Sequence, residues 1–154
     1  MPDPEQQLTK LGLTLPQVST PAANYVPTVR VANLVFVAGQ LPRTPDGSII
    51  IGKVGDTMGV EEARLAAENC GLYALAALKN EIGNLNKVLR VVRVMGLVNT
   101  TPEVAEQPLV INGCSDLMVS IFGEQGKHAR VAYGVASLPG GAVVEIEALF
   151  EVLD

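Results

Sequence analysis

Tryptophan is absent from this chain of 154 residues, and the aromatic residues together make up only 4% of it. Aromatic side chains that would stack on the bases of a single-stranded nucleic acid are therefore scarce. The net charge of −5 and the sequence pI of about 4.9 point the same way, because phosphate backbones are bound by clustered Lys and Arg. Nucleic acid is not an expected partner of this protein.

Metal-binding and nucleophilic motifs are missing as well. His128 is the single histidine, and it has no second histidine with which to share a metal ion. The chain contains no P-loop, no zinc-ligand spacing and no GxSxG motif. Its two cysteines, Cys70 and Cys114, belong to no CxxC pair and are expected to be buried free thiols. We expect no bound metal, and we interpret His128 as a partly exposed residue at the start of a strand.

Long hydrophobic runs are also missing, since none approaches the ~20 residues of a membrane helix. The N-terminal residues 1–16 lack the basic and apolar regions of a signal peptide, so we expect a cytoplasmic protein. Hydrophobic residues nevertheless amount to 48% and charged residues to only 18%. That composition is apolar for a small monomer, and it favours a homo-oligomer in which a partner subunit covers part of the surface.

The order of elements predicted from the sequence is β-β-(β)-α-β-α-β-β in one domain. Residues 4–13 are predicted to form a short helix capped by Asp3, and residues 16–27 an extended connector. The main elements are predicted at 28–40 (a hairpin), 60–82 (a helix), 88–98 (a strand), 105–122 (a helix), 128–137 and 142–153 (two strands). Asp56 or Thr57 is the expected cap of the first long helix, and Gly83 its end. Two helices on one face of a mixed sheet would leave the other face for a second chain.

The last two strands carry the candidate chemistry. If the turn at residues 138–141 pairs them as a hairpin, Gly134 lies opposite Glu145, and Arg130 shares a sheet face with Glu145 and Glu147. Arg130 and Glu145 would then be about 13 Å apart along the ladder. Arginine matches a carboxylate with a fork of donors, and glutamate can hold a water and move protons. An exposed pair on a sheet face remains the structural alternative.

The segment HARVAYGVASLPGGAVVEIEALFEV resembles the C-terminal signature of the Rid/YjgF family, the reactive-intermediate imine deaminases, which are also labelled L-PSP endoribonucleases. Tyr25 in NYVPTV, the run LVFVAGQLP and Asn112 in VINGCSDLM match that family in order and spacing. The resemblance covers residues 20–154 as a single domain. It leaves residues 1–19, the N-terminal helix and connector, outside.

This resemblance implies a chorismate-mutase-like α+β fold, assembled as a homotrimer with sites at the subunit interfaces. In the deaminases an arginine holds the carboxylate of a 2-imino acid and a glutamate orients the attacking water. By motif position these residues are Arg130 and Glu145, and Tyr25, Gly39 and Asn112 fall at pocket positions. The products would be a 2-keto acid and ammonia, with no metal or organic cofactor.

Two pocket positions depart from the pattern of many deaminases. Ala38 stands where they have a serine, and Ala132 where they have a cysteine. Loss of the hydroxyl at Ala38 removes a potential ligand hydrogen bond of about 1 kcal/mol. The stretch INGCSDLMVSIFGEQGKHAR is typical of a side branch of the family.

Four functions follow as hypotheses. Hydrolytic deamination of imine or enamine acids comes first, and a non-catalytic trimer that binds metabolites such as 2-keto acids comes second. An endoribonuclease agrees poorly with the acidic composition. Chorismate mutase activity is suggested only by the fold, and a shared fold does not imply a shared function.

Overall fold

A computed structural model describes residues 2–18 and 20–154 of the chain. It contains five strands in one sheet, two long helices and one short helix. In chain order these are α1 (Pro4–Lys10), β1 (Thr28–Val31), β2 (Leu34–Gln40), α2 (Val60–Ile82), β3 (Val88–Asn99), α3 (Gln107–Phe122), β4 (Ala129–Val135) and β5 (Val144–Val152).

The sheet is mixed, with the strand order β1-β2-β5-β3-β4. Only β3 and β4 are parallel, and the other neighbouring pairs are antiparallel. The β1–β2 hairpin, both long helices and β3 lie where the sequence predicted them. The α+β class is confirmed, and so are the two long helices packed together on one sheet face.

Alternation along β5 shows how the sheet separates the core from the opposite face. Val144, Ile146, Ala148, Phe150 and Val152 are buried under the helices, whereas the residues between them are only partly buried. The face turned away from α2 and α3, here called the open face, includes Phe36, Val131 and Tyr133, which are 47%, 40% and 41% exposed. Such an apolar surface agrees with the hydropathy of the sequence.

The predicted pairing of the last two strands was wrong. β4 and β5 do not form a hairpin, because β3 lies between them and pairs with both. The physical reason is the connection before β4: a strand, a helix and a parallel strand make a crossover unit, which places β4 directly beside β3. The turn through Gly140 and Gly141 then carries the chain across to the other side of β3.

The predicted N-terminal cap of α2, Asp56 or Thr57, was also wrong. Gly59 precedes the helix, and it makes no side-chain capping bond. The Thr57 hydroxyl instead accepts a hydrogen bond from the Lys53 N–H at 3.0 Å, which closes the turn ahead of the helix. The predicted end at Gly83 is confirmed, with a φ of 84° that suits a residue without a Cβ.

The N-terminal helix forms as predicted but ends at Lys10. The Asp3 carboxylate accepts hydrogen bonds from the Glu5 and Gln6 N–H groups, and Leu8 is buried in the common core. Glu5 pairs with Lys79 of α2 at 2.8 Å. Among the described residues no helix is both long and apolar enough to cross a membrane.

Candidate functional site

Arg130 projects from the edge strand β4 toward α3. Its Nη1 donates to Asn112 Oδ1 at 2.7 Å and to Ser115 Oγ at 3.2 Å, two side chains one helical turn apart. Ala132, two residues along the strand, shares this face and packs partly against the core. Arg130, Asn112, Ser115 and Ala132 form what we call the arginine half-site.

The charge of Arg130 has no carboxylate partner in the described part of the chain, residues 2–18 and 20–154. Both of its hydrogen bonds run from Nη1 to neutral oxygens, and this leaves the Nε–Nη2 edge of the guanidinium for another group. Arg130 is also exposed to solvent. A cation that is held in place but not neutralised is suited to bind an anion, and a planar guanidinium fits a carboxylate best.

Glu145 lines a cleft of about 190 Å³ beside the bulged end of β2. Tyr25, Ala38, Gly39 and Arg43 line the same cleft, and together with Glu145 they form the glutamate half-site. Tyr25 is 56% exposed, so its ring is accessible. The small residues Ala38 and Gly39 let the carboxylate approach the backbone of β2.

The absence of a side chain at residue 39 is required here. A Cβ at Gly39 would lie 2.5 Å from Glu145 Oε1, well inside van der Waals contact. Burial raises the pKa of Glu145, and the negative charge of Glu147 raises it further. A carboxyl group with a raised pKa exchanges protons closer to neutral pH than an ordinary glutamate does.

The two half-sites lie on opposite faces of the sheet, which corrects the predicted arrangement. Arg130 pairs with Val94, a buried residue on the helix side, whereas Glu145 pairs with Leu97 on the open face. The expected placement of Gly134 opposite Glu145 fails for the same reason, because β3 separates the strands. The seven predicted site residues therefore form two groups: Tyr25, Ala38, Gly39 and Glu145 in one, Asn112, Arg130 and Ala132 in the other.

Three residues that the sequence did not predict as site residues also belong to these groups: Arg43, Ser115 and His128. His128 is not merely a residue that enters a strand, since its Nε2 lies 2.9 Å from Ser115 Oγ. The signal was present in the spacing, because His128 and Arg130 share strand parity and Asn112 and Ser115 share a helix face. Among the described residues no three His, Cys, Asp or Glu side chains are grouped as metal ligands would be.

Comparison with known proteins assigns this chain to a family. Residues 5–152 match the family described as "YjgF/chorismate_mutase-like, putative endoribonuclease". Protein TCP17 of Trypanosoma cruzi is 43% identical over 146 residues, which cover 94% of this chain and 91% of that protein.

Two solved structures are also similar. Atu1372 from Agrobacterium tumefaciens, a protein of unknown function, is 45% identical with a TM-score of 0.91, over 97% of this chain and 92% of that one. A "putative endoribonuclease" from Shewanella oneidensis is 30% identical with a TM-score of 0.94, over 98% of this chain and 100% of that one. The chain described here belongs to the YjgF/chorismate-mutase-like family and has its α+β fold.

Proposed function

We propose that this protein hydrolyses 2-imino and enamine acids to 2-keto acids and ammonia, at sites that two subunits of a homotrimer complete. The observation that carries the proposal is the uncompensated guanidinium of Arg130, held by Asn112 and Ser115 with one donor edge directed to solvent. That edge suits the carboxylate of a small acid.

Glu145 supplies the second requirement of the reaction, a group that accepts and returns a proton. As a carboxylate it takes a proton from a water while the water oxygen bonds to C2 and the C=N electrons move to nitrogen. It then returns that proton to the nitrogen, which gives a tetrahedral intermediate with a hydroxyl and an amino group on C2. Glu145 next takes the hydroxyl proton and passes it to the amino nitrogen, so that ammonia leaves as the C–N bond breaks and the C=O bond forms. Glu145 ends as a carboxylate, and the net reaction consumes one water.

A second subunit is needed because one chain directs Arg130 and Glu145 to opposite faces of its sheet. The exposed apolar side chains of the open face support burial against further copies of the chain. In such an assembly, the arginine half-site of one subunit would meet the glutamate half-site of its neighbour. The small acid would then lie between them.

A trimer that binds 2-keto acids without turnover is the second candidate. It is favoured by Ala38 and Ala132, because neither side chain can donate a hydrogen bond to a ligand or a water. The backbone groups of both residues remain able to do so. Endoribonuclease activity, which the names of relatives suggest, has less physical support, since the net charge is −5.

The test is the rate of 2-keto acid formation from 2-imino acids generated in place by an amino-acid oxidase. We expect the wild type to accelerate hydrolysis and Arg130→Ala to abolish the acceleration. Arg90→Ala is the matched control, since Arg90 is an exposed arginine of β3 outside both half-sites. Binding of 2-oxobutyrate with no acceleration for any side chain would select the second candidate. Full activity of Arg130→Ala would show that Arg130 does not bind the substrate carboxylate and would overturn the proposed site.

A further inference from the structure

A continuous line of hydrogen bonds connects His128 to Arg130 through Ser115. His128 Nδ1 lies 2.6 Å from the Gly126 carbonyl oxygen, and His128 Nε2 lies 2.9 Å from Ser115 Oγ. Ser115 Oγ in turn lies 3.2 Å from Arg130 Nη1. The line joins the chain's single histidine to the guanidinium of the arginine half-site.

The chemistry of the partners fixes where the protons are. A carbonyl oxygen only accepts, so Nδ1 of His128 carries a hydrogen and donates it to Gly126. In the neutral ring Nε2 is then an acceptor, and it takes the hydrogen of the Ser115 hydroxyl. The lone pairs of Ser115 Oγ are therefore available to the Nη1 hydrogens of Arg130, which can only donate.

We propose that His128 and Ser115 are positioning residues that hold the Arg130 guanidinium in its anion-binding orientation. This inference rests on the proposed role of Arg130 in binding a substrate carboxylate. Asn112 alone gives Nη1 one acceptor, about which the guanidinium can swing, and Ser115 gives it a second. The ring of His128 orients Ser115 in turn, because it takes the hydroxyl hydrogen and so directs the oxygen at Arg130.

The neutral ring is the form that the surroundings favour. Burial lowers the pKa of His128, the hydrogen bond to Gly126 opposes this, and the nearby charge of Arg130 lowers it again. Other titratable groups surround the ring. Lys127 and Glu124 pair with each other at 2.8 Å, and Arg90 and Glu151 line the adjoining surface cleft. Asp116 on α3 and the buried thiol of Cys114 complete the set. Burial raises the pKa of Cys114 to about 12, so the thiol is uncharged.

Ligand binding and the protonation of His128 are then coupled. A protonated ring donates from Nε2 and no longer takes the Ser115 hydroxyl hydrogen, so the anion-binding orientation of Arg130 requires the neutral ring, and ligand binding lowers the pKa of His128. By reciprocity, the carboxylate binds less tightly as the pH falls through that pKa. Since the chain has one histidine, its ring C–H signals report this titration without assignment.

Kinetics and binding provide the first test, with 2-imino acids as substrates and 2-oxobutyrate as the equilibrium probe. Ser115→Ala and His128→Met should raise KM and the 2-oxobutyrate Kd about tenfold with kcat nearly unchanged. His128→Gln keeps an acceptor near the position of Nε2 and should restore both values to within about twofold, without the pH dependence. Ser120→Ala is the control, since Ser120 is an α3 serine that bonds only its own helix at Asp116 O.

A ligand-free measurement separates this proposal from the proposed function. The ¹H–¹⁵N NOE of the Arg130 Nε–H group, identified by its loss in Arg130→Met, reports the order of the guanidinium directly. We expect that order to fall in Ser115→Ala and His128→Met, and we expect the His128 pKa to rise in Arg130→Met. These outcomes would support the positioning role even if no turnover were found. An equally ordered Nε–H with unchanged KM and Kd, or a loss confined to kcat, would overturn it.

Discussion

Arg130 and Glu145 lie on opposite faces of the same sheet, two strands apart, with β3 between them. Each has the surroundings of a functional group: a cation fixed by neutral oxygens, and a carboxyl with a raised pKa in a cleft. Neither can act on the same small molecule as the other within one chain. The proposed chemistry therefore depends on how copies of the chain assemble.

Subunit complementation tests this dependence directly. Arg130→Ala and Glu145→Ala are each expected to be inactive. Co-expressed and mixed at random in equal amounts, they should recover about one quarter of the wild-type activity, because one interface in four then pairs an intact arginine with an intact glutamate. The measurement is the activity of the unfractionated trimers; in isolated mixed trimers, where one interface in three is intact, the expected recovery is about one third. No recovery in verified mixed trimers would place both groups of a site in one subunit.

The open face should control assembly. Phe36→Glu places a charge where a 47% exposed ring lies on that face, so we expect it to dissociate the trimer and abolish activity. Light scattering should give the wild type three times the 16.2 kDa of one chain, and the variant a single chain. Leu65→Glu is the control, because Leu65 is 59% exposed on α2, away from the open face. A monomeric wild type would contradict the proposed assembly.

The raised pKa of Glu145 predicts the acid limb of the pH profile. A general base must be ionised. As the pH is lowered, kcat/KM should therefore begin to fall at a pH above 4.5, the usual pKa of a glutamate. Glu147→Gln removes the second cause of the shift, and the limb should move to lower pH but stay above 4.5, since burial is the larger cause. Glu151→Gln is the control, because Glu151 lies four residues further along β5 on the same face. It should leave the pH of the acid limb unchanged.

The same shift has a consequence for stability, with a definite sign. A folded-state pKa above the unfolded value means that ionised Glu145 opposes folding. The resulting loss of stability therefore appears as the pH rises above the pKa of an ordinary glutamate. Glu145→Gln should therefore raise Tm at pH 7 and leave Tm nearly unchanged at pH 4, where the native carboxyl is largely protonated. Calorimetry at the two pH values provides the measurement. A lower Tm at pH 7 would show that Glu145 stabilises the fold.

Gly39→Ala should separate activity from folding. The added Cβ displaces the flexible Glu145 carboxylate rather than the backbone, so we expect kcat/KM to fall about 10- to 100-fold while the fold persists. Gly59→Ala is the matched control, because nothing lies within 4 Å of a Cβ there. Unfolding in urea should show a loss of no more than about 1–3 kcal/mol for Gly39→Ala. Wild-type kinetics in this variant would remove Glu145 from the reaction.

Periodicity in the sequence was sufficient for most elements of the fold. The helix over residues 60–82, its end at Gly83 and the hairpin of β1 and β2 each depend on neighbours along the chain. The pairing of β4 could not be predicted from neighbouring residues. The turn between β4 and β5 is compatible both with a hairpin and with a connection that crosses β3. Contacts between residues far apart in sequence decide between these two arrangements.

For the candidate site, too, some features follow from single residues and others from tertiary contacts. Residue type and motif position selected Arg130, Glu145, Asn112 and Gly39, because guanidinium, carboxylate and the lack of a side chain are properties of single residues. The sequence by itself thus determined the fold class, the excess of apolar residues and the groups available for chemistry. Tertiary structure alone decided which groups meet: it brought Ser115 and His128 to Arg130, and it turned Glu145 to the opposite face, because contacts and strand order depend on the packing of the whole chain.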